Sequence, residues 1–414
     1  MKKTTALLLF LVSLPATEFL GLQASEPLTL ERVVETYIQN SLDLQAARFQ
    51  IERAKASQIA ARLRPNPGIT LTAENLALSG PTPASRFYEV GMTYTETFEL
   101  GGKRELREKF ADATVSAAEV QFEDAMRRGV ADVKRLYLDA LLARYNVDLT
   151  RENRQTFEQL LQFNRTRFQE GAIPEVDLIK VSLERVKFDS SFRQAELALR
   201  QATIRLRERL GLPTDVAGQI RGDLDAGQAV FDLGVLRQFA STERSDVRAA
   251  GAEVNAAAAR VSLERARGKT DISPFAGYKR IGDDNTVLFG VNVPLKTRDH
   301  NQAETARAEA DLKTAQTRLQ LVRNHAVAEV EVAHAALQTA RELLETFQNE
   351  LLRQADEAQA ISLSAYEEGG IELLPVLEAQ RTRTEVRQQY FKTLFDYQAS
   401  IVALELAVGR EIQQ

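Results

Sequence analysis

The 414-residue chain has no cysteine, no tryptophan and only three histidines. Without cysteine there is no disulfide framework, no thiolate metal site and no lipid anchor on a mature N-terminal Cys. Beyond residues 1–24, no stretch approaches the roughly 20 apolar residues of a membrane-crossing helix. The net charge of -5 gives no basic excess that would point to nucleic acid. Glycine and proline gather at a few breaks, and the long runs between them are built of Ala, Glu, Arg, Gln and Leu. That composition argues for one elongated, mainly helical architecture rather than several ordinary domains.

Residues 1–24, MKKTTALLLFLVSLPATEFLGLQA, read as a secretory signal peptide: two lysines, an apolar run from Ala6 to Pro15, and a small residue at Ala24 before polar Ser25-Glu26. An exported chain with no helical anchor is either soluble outside the cytoplasm or crosses a membrane as a β-barrel.

The hydrophobic period divides what remains. Residues 28–64 read as one helix, stopped by Pro65-Asn66-Pro67-Gly68. Strands are expected at 69–76, with Ile69, Leu71 and Ala73 on one face, and at 85–98, with Tyr88, Val90, Met92, Tyr94 and Phe98 on one face. Gly101-Gly102 then changes the period from two to about three and a half. Helix follows from Lys103 to Glu170, interrupted only at Gly129 and about 100 Å long at the helical rise. Another helix covers 175–210 after Gly171-Ala172-Ile173-Pro174. A glycine-rich linker occupies 211–234.

The plan then repeats, which divides the mature chain into repeats at 25–210 and 235–414. Helix is expected over 235–267, strands over 273–281 and 286–295 around the turn Gly282-Asp283-Asp284-Asn285, a long helix over 301–368, and a last helix over 372–408. Glu170-Gly171-Ala172-Ile173 matches Glu368-Gly369-Gly370-Ile371, and Leu210-Gly211 matches Val408-Gly409, both at an offset of 198 residues. Two landmarks sharing one offset point to a duplicated helix-strand-strand-helix-helix unit. The second long helix carries a seam at Leu312, Ala315, Leu319, Val322, Ala326, Val330, Ala333, Leu337, Ala340, Leu344, Phe347, Leu351, Ala358, Ile361 and Ala365. Its spacing of about 3.5 is that of a coiled coil. This pattern alone fits a secreted, pore-free coiled-coil structural protein as well as a helical tunnel. The strands favour the tunnel, because their lengths and two-faced alternation suit bilayer crossing. Four strands cannot close and an open edge is not tolerated in lipid, so several chains must share one barrel. Three chains give twelve strands, enough for a water-filled lumen. Phe87, Tyr88, Tyr94, Phe98, Phe275, Tyr278 and Phe289 could supply interfacial girdles; a soluble hairpin with core aromatics is the other reading.

Val90-Gly91, Phe98-Glu99-Leu100-Gly101-Gly102-Lys103-Arg104, Phe289-Gly290-Val291, Pro294-Leu295 and the breaks EGAIPEVDL and EGGIELLPVLEAQ carry a resemblance to the TolC-type outer-membrane efflux proteins over essentially the whole mature chain. The FELGGKR wording is similar to the cation-efflux, CzcC-like branch. The resemblance implies a trimer with a twelve-stranded outer-membrane barrel continued by a periplasmic α-helical barrel. It also implies a periplasmic adaptor and an inner-membrane pump, proton-driven and of the RND type. Metal cations would be the cargo in the cation-efflux branch, drugs or secreted polypeptides in others. By the same resemblance Gly171, Ile173, Gly369, Gly370 and Ile371 would lie at the adaptor-docking tips, Asp177, Tyr366 and Glu378 at the gate, and Gly101-Gly102 at the barrel-to-helix hinge. The family's basic gate residue falls at Ile371, so an identical ionic latch is not expected. The hinge counterpart near 296–300 lacks glycine, so the two halves are expected to turn differently.

Other signals are weaker. Gly101-Gly102-Lys103 before a helix lacks the full G-x-x-x-x-G-K-[ST] spacing of a phosphate loop. His325 and His334 are nine residues apart on opposite faces of one helix and cannot chelate together; His300 stands alone. No nucleophile, base and orienter pattern supports an enzyme, and no cofactor is expected.

Overall fold

A computed structural model describes residues 27–76, 79, 81, 88–213, 220–224 and 231–412. The signal-peptide reading, Phe87 and most of the turn before it lie outside these residues. In chain order come α1 (Leu30–Asn40), α2 (Leu42–Arg62), β1 (Gly68–Glu74), β2 (Glu89–Thr95), α3 (Lys103–Gln169), α4 (Glu175–Arg209), α5 (Leu233–Thr242) and α6 (Ser245–Arg267). They are followed by β3 (Ser273–Ile281), β4 (Asp284–Asn292), α7 (Gln302–Thr346), a π-turn (Phe347–Leu351), α8 (Leu352–Glu367) and α9 (Leu373–Val408).

The strands form one antiparallel sheet in the order β1-β2-β3-β4. Its register sets the faces. Ile69 opposes Tyr94 and Leu71 opposes Met92; Met92 in turn opposes Tyr278, which opposes Val287, while Ala276 opposes Phe289. Directly opposed residues share a face, so most apolar positions of the four strands lie together, with Phe275, Ile281 and Leu288 on the other side. The shared face is uncovered: Leu71 is 74% exposed and Phe289 78%. The other face carries Thr70, Thr72, Thr93 and Thr286, with Lys279 paired to Glu89 and 3.7 Å from Glu74. A continuous apolar face of this kind needs a non-aqueous neighbour.

The helices build a wall one helix thick. α3 packs between the α2 and α4 pair on one side and the α6 and α9 pair on the other, and α7 with α8 lies beyond α6 and α9. Within each pair the helices meet end to end. This explains why the helices expected over 28–64 and 235–267 are each broken. At Ser41 the backbone N–H closes α1 on Tyr37 O while Oγ accepts from Leu44 N–H to open α2. The end of α4 abuts there, with Gly211 against Asn40 O. In the second pair Arg244 precedes α6 and donates to Ala407 O at 2.9 Å, and Arg127 donates to Leu406 O. These guanidinium groups satisfy carbonyls that the end of α9 leaves unpaired. The stretch read as a linker is partly core: Ile220 and Leu224 are buried, Ile220 bridges Leu28, and α5 already begins at Leu233.

Two further expectations change. Gly129 does not interrupt α3; a Cβ there would lie 1.9 Å from Tyr37 Oη, so the glycine makes room for a buried ring. The long second helix contains a π-turn, which inserts one residue into the helical repeat. The seam holds through Leu344, but Ala358 and Ile361 turn outward, and Ala355 and Tyr366 are buried instead. The hinges share one left-handed residue directly before the helix and differ as expected one residue earlier, where Gly101 (φ 74°) is also left-handed and its counterpart His300 is not. Gly102 and Asn301 precede α3 and α7 with φ of 72° and 65°, and Asn tolerates the left-handed region better than other side chains. Asn301 Nδ2 is held by Glu264 O and Oε2, each at 2.8 Å. The first hinge is pinned as well: Lys103 Nζ donates to Asp271 Oδ1 and Lys269 O, each at 2.7 Å, and Arg107 reaches Glu99 and the carbonyls of Ala61 and Leu63.

Alanine exceeds glycine in helix propensity by about 1 kcal/mol, so Gly129→Ala would stabilise an uncrowded α3. Crowding against Tyr37 predicts the reverse sign, a lowered unfolding midpoint in detergent, followed by circular dichroism at 222 nm.

Candidate functional site

The wall ends about 100 Å from the sheet, 67 residues of α3 at 1.5 Å each. Two matched turns close it. Gly171 (φ 75°) donates to Phe168 O while Ala172 donates to Arg167 O; Gly369 (φ 78°) donates to Tyr366 O while Gly370 donates to Ala365 O. Both are the paired 5→2 and 6→1 bonds of a Schellman cap, which needs a left-handed residue just after the helix. Above the turns sits an apolar cluster of its own: Phe157, Leu160, Leu161, Val181, Tyr366, Leu373, Val376 and Leu377, with Ile371 packed against it.

Tyr366 is its polar centre. The ring is 3% exposed, and its hydroxyl donates to Asn164 Oδ1. Phe163 meets it edge-on at 6.1 Å, and the Arg167 guanidinium lies 5.4 Å from its centroid. Burial pushes the Tyr366 phenol above its ordinary pKa and the Asp177 charge adds to that, against the opposing effects of Arg167 and Asn164. The phenol therefore stays protonated and remains a donor.

The other expected gate residues are placed differently. Asp177 lies in the first turn of α4, where the helix N-terminus favours an acid, and pairs with Lys180 at 3.2 Å. Glu378 is exposed and, among the described residues, takes no ion pair. Asp177 is thus near enough for its charge to act on Tyr366, while among the described residues no hydrogen bond or ion pair joins Tyr366 to Asp177 or Glu378. Ile173 is half-buried at the turn, and Ile371 serves the apolar cluster. The residues that do meet Tyr366, Asn164 and Arg167, were not anticipated. Asn164 continues the spacing of Phe157 and Leu160-Leu161 along α3, and a fully buried amide in such a stripe is the signal that could have found it.

Two to three turns nearer the sheet, α9 is clamped to both neighbours. Arg383 reaches Glu152 at 2.8 Å and Asp356 at 2.7 Å, and Arg387 reaches the same two carboxylates at 3.2 Å and 3.0 Å. Nearby, Glu184 takes Lys187 at 2.8 Å and also Arg381. Among the described residues no group of three or more His, Asp or Glu side chains is placed to hold a metal ion.

The outer membrane efflux protein family matches residues 33–212 and 236–410. The chain belongs to that family. It is 26% identical to the cobalt-zinc-cadmium resistance protein CzcC of Cupriavidus metallidurans over 391 residues, 94% of this chain and 91% of that protein. Identity to the nickel and cobalt resistance protein CnrC of the same organism is 28% over 67% of this chain and 66% of that protein. The fold is that of solved channels of the family. CusC superposes with a TM-score of 0.76 at 19% identity over 92% of both chains. The Campylobacter jejuni CmeC outer membrane channel superposes with a TM-score of 0.77 at 17% identity over 92% of this chain and 85% of that one. The non-aqueous neighbour of the sheet is the outer membrane, and the helical wall is periplasmic.

The clamp carries a pH signature. Burial alone would raise the Asp356 pKa, but Arg387 and Arg383 outweigh it and hold the carboxyl below its ordinary value. A depressed folded-state pKa contributes stability that is complete above about pH 4, where the unfolded carboxyl titrates, and is lost as pH falls through the folded value. The unfolding midpoint should therefore drop on acidification below about pH 4, and Asp356→Asn should flatten that drop while lowering the midpoint at pH 7.

Proposed function

We propose that three copies of this chain form an outer-membrane exit duct, with twelve strands closing a barrel and the helical walls closing a periplasmic tunnel below it. The observation that carries this reading is the sheet: four strands, an uncovered apolar face, and both edge strands unpaired among the described residues. Lipid solvates the face but cannot hydrogen-bond the edges, so β1 of one copy pairs with β4 of the next. The wall has matching edges. On α4 the exposed residues Val176, Ile179, Leu183, Val186, Leu197 and Ile204 fall on heptad positions; on the opposite edge, α7 and α8 expose Leu321, Val332, Leu343 and Ile361. A head-to-tail contact between two different edges generates a ring when its rotation closes.

The duct performs no chemistry. Cargo passes down a path lined by the threonine-rich face of the sheet, and a periplasmic adaptor docked on the Gly171 and Gly369 turns couples it to a proton-driven inner-membrane pump of the RND type. Metal cations are the cargo we infer, supported by relatives named for cobalt, zinc, cadmium and nickel resistance; drug or polypeptide cargo has no such support. Asp177, Tyr366 and Glu378 are assigned to the entrance, with Asn164 and Arg167 holding Tyr366. The acidic pair favours cations there, since Glu378 is exposed and takes no ion pair among the described residues.

Fractionation and planar-bilayer recording test the reading together. The chain should stay with outer-membrane extracts and give discrete conductance steps. Replacing Asp177 and Glu378 by alanine should raise conductance or weaken cation preference; release of wild-type protein with the soluble periplasm would overturn the duct.

A further inference from the structure

The apolar interior comes in two pieces. One cluster surrounds Tyr366 at the periplasmic end; the other begins on α9 at Leu394 and on α7 at Leu344 and continues toward the sheet. Between them, the buried positions on α9 from Leu377 to Thr393 are Gln380 and Arg383. On α9 the layer separating the two cores is polar, and the buried apolar residues beside it, Val147 and Leu149 on α3, Phe192 on α4 and Ala355 on α8, belong to neither cluster. Gln380 Nε2 donates to Asn153 Oδ1 at 2.9 Å, with Asn153 fully buried and Gln380 2% exposed. Two facing amides can exchange two hydrogen bonds, and this pair makes one. Among the described residues Asn153 Nδ2 and Gln380 Oε1 have no hydrogen-bond partner.

The third helix departs from regularity on the sheet side of this layer. The π-turn Phe347–Leu351 lies just before Asp356, whose carboxylate holds Arg383 and Arg387. On the sheet side, Tyr145, Phe391, Tyr390 and Phe347 form a chain of ring contacts tying α3, α9 and the π-turn together, with centroids 5.1 to 6.4 Å apart. Ionic pairs with long side chains keep contact through small displacements, whereas interdigitated apolar side chains do not. A packed core on either side of a half-satisfied polar layer, with one spare residue in the adjoining helix, is the construction of a joint.

We propose that Asn153 and Gln380 form the pivot of the periplasmic end: the ends of α3, α4, α8 and α9 that share the Tyr366 cluster tilt there as one body, the amide pair changing between one bond and two while the π-turn absorbs the displacement on the third helix. The assignment of that end as the entrance rests on the duct reading, but the pivot itself does not. Asn153 and Gln380 are positioning residues and touch no cargo.

The test replaces the pair by apolar side chains of similar size, Asn153→Leu with Gln380→Met, in the full chain in detergent. Amide hydrogen exchange of residues 366–380 is followed by mass spectrometry. Joining the two cores predicts exchange slowed at least tenfold. If the pair is only a structural tie, its removal loosens the end and exchange becomes faster; faster or unchanged exchange overturns the pivot. Deleting Asn349, which returns the π-turn to α-helix without touching the amides, reads the same motion separately and should also slow exchange. Bilayer recordings on the same samples separate the two readings. Slowed exchange with fewer openings supports both; slowed exchange in the double variant, with no pore formed by the wild-type protein, overturns the duct and keeps the pivot; unchanged exchange in the variant, with a conducting wild-type channel, does the opposite.

Discussion

The outward hydrogen-bonding groups of β1 and β4 have no partner among the described residues, and the apolar face between them is uncovered. In water such a sheet would aggregate through its face and its edges; in lipid an unsatisfied edge costs several kcal/mol per group. The rest of the molecule follows from this constraint. In the proposed assembly the sheet takes identical neighbours, and the wall beneath it then needs two complementary edges, for which α4 and α7 with α8 are the candidates. The hinges must deliver strands into long helices without slack, and the Lys103–Asp271, Arg107–Glu99 and Asn301–Glu264 contacts hold them.

Much of this was legible in the residues. Alternation placed β3 to the residue and the others within a few positions, because each strand has one mainly apolar face, and the exceptions Phe275, Arg280, Ile281 and Leu288 do not erase the period of two. The glycine turns at 171 and 369 were readable because only a left-handed residue completes a Schellman cap. Other features were hidden in tertiary contact. The breaks at Ser41 and Arg244 exist because another helix ends against them, and neither stretch contains proline or glycine at the break. Gly129 looked like an interruption and is a socket for Tyr37. Asn301 takes the conformation of Gly102 despite carrying a side chain.

The π-turn is the most instructive miss. A seam extrapolated at constant spacing leads to Ile361, yet one inserted residue hands burial to Ala355 and Tyr366 and turns Ile361 to the wall's edge. Periodicity read from sequence assumes an unbroken helix, and a π-turn has no reliable sequence mark. The candidate entrance was legible only in outline for a related reason. The resemblance supplied Tyr366, but its partners Asn164 and Arg167 lie about 200 residues earlier.

The central claim is that this sheet is one third of a closed barrel. Native mass spectrometry of the chain extracted from outer membranes in mild detergent tests it most directly. The account predicts a complex of three copies that persists until the detergent is made denaturing; a monomer or a dimer under the same mild conditions would contradict it.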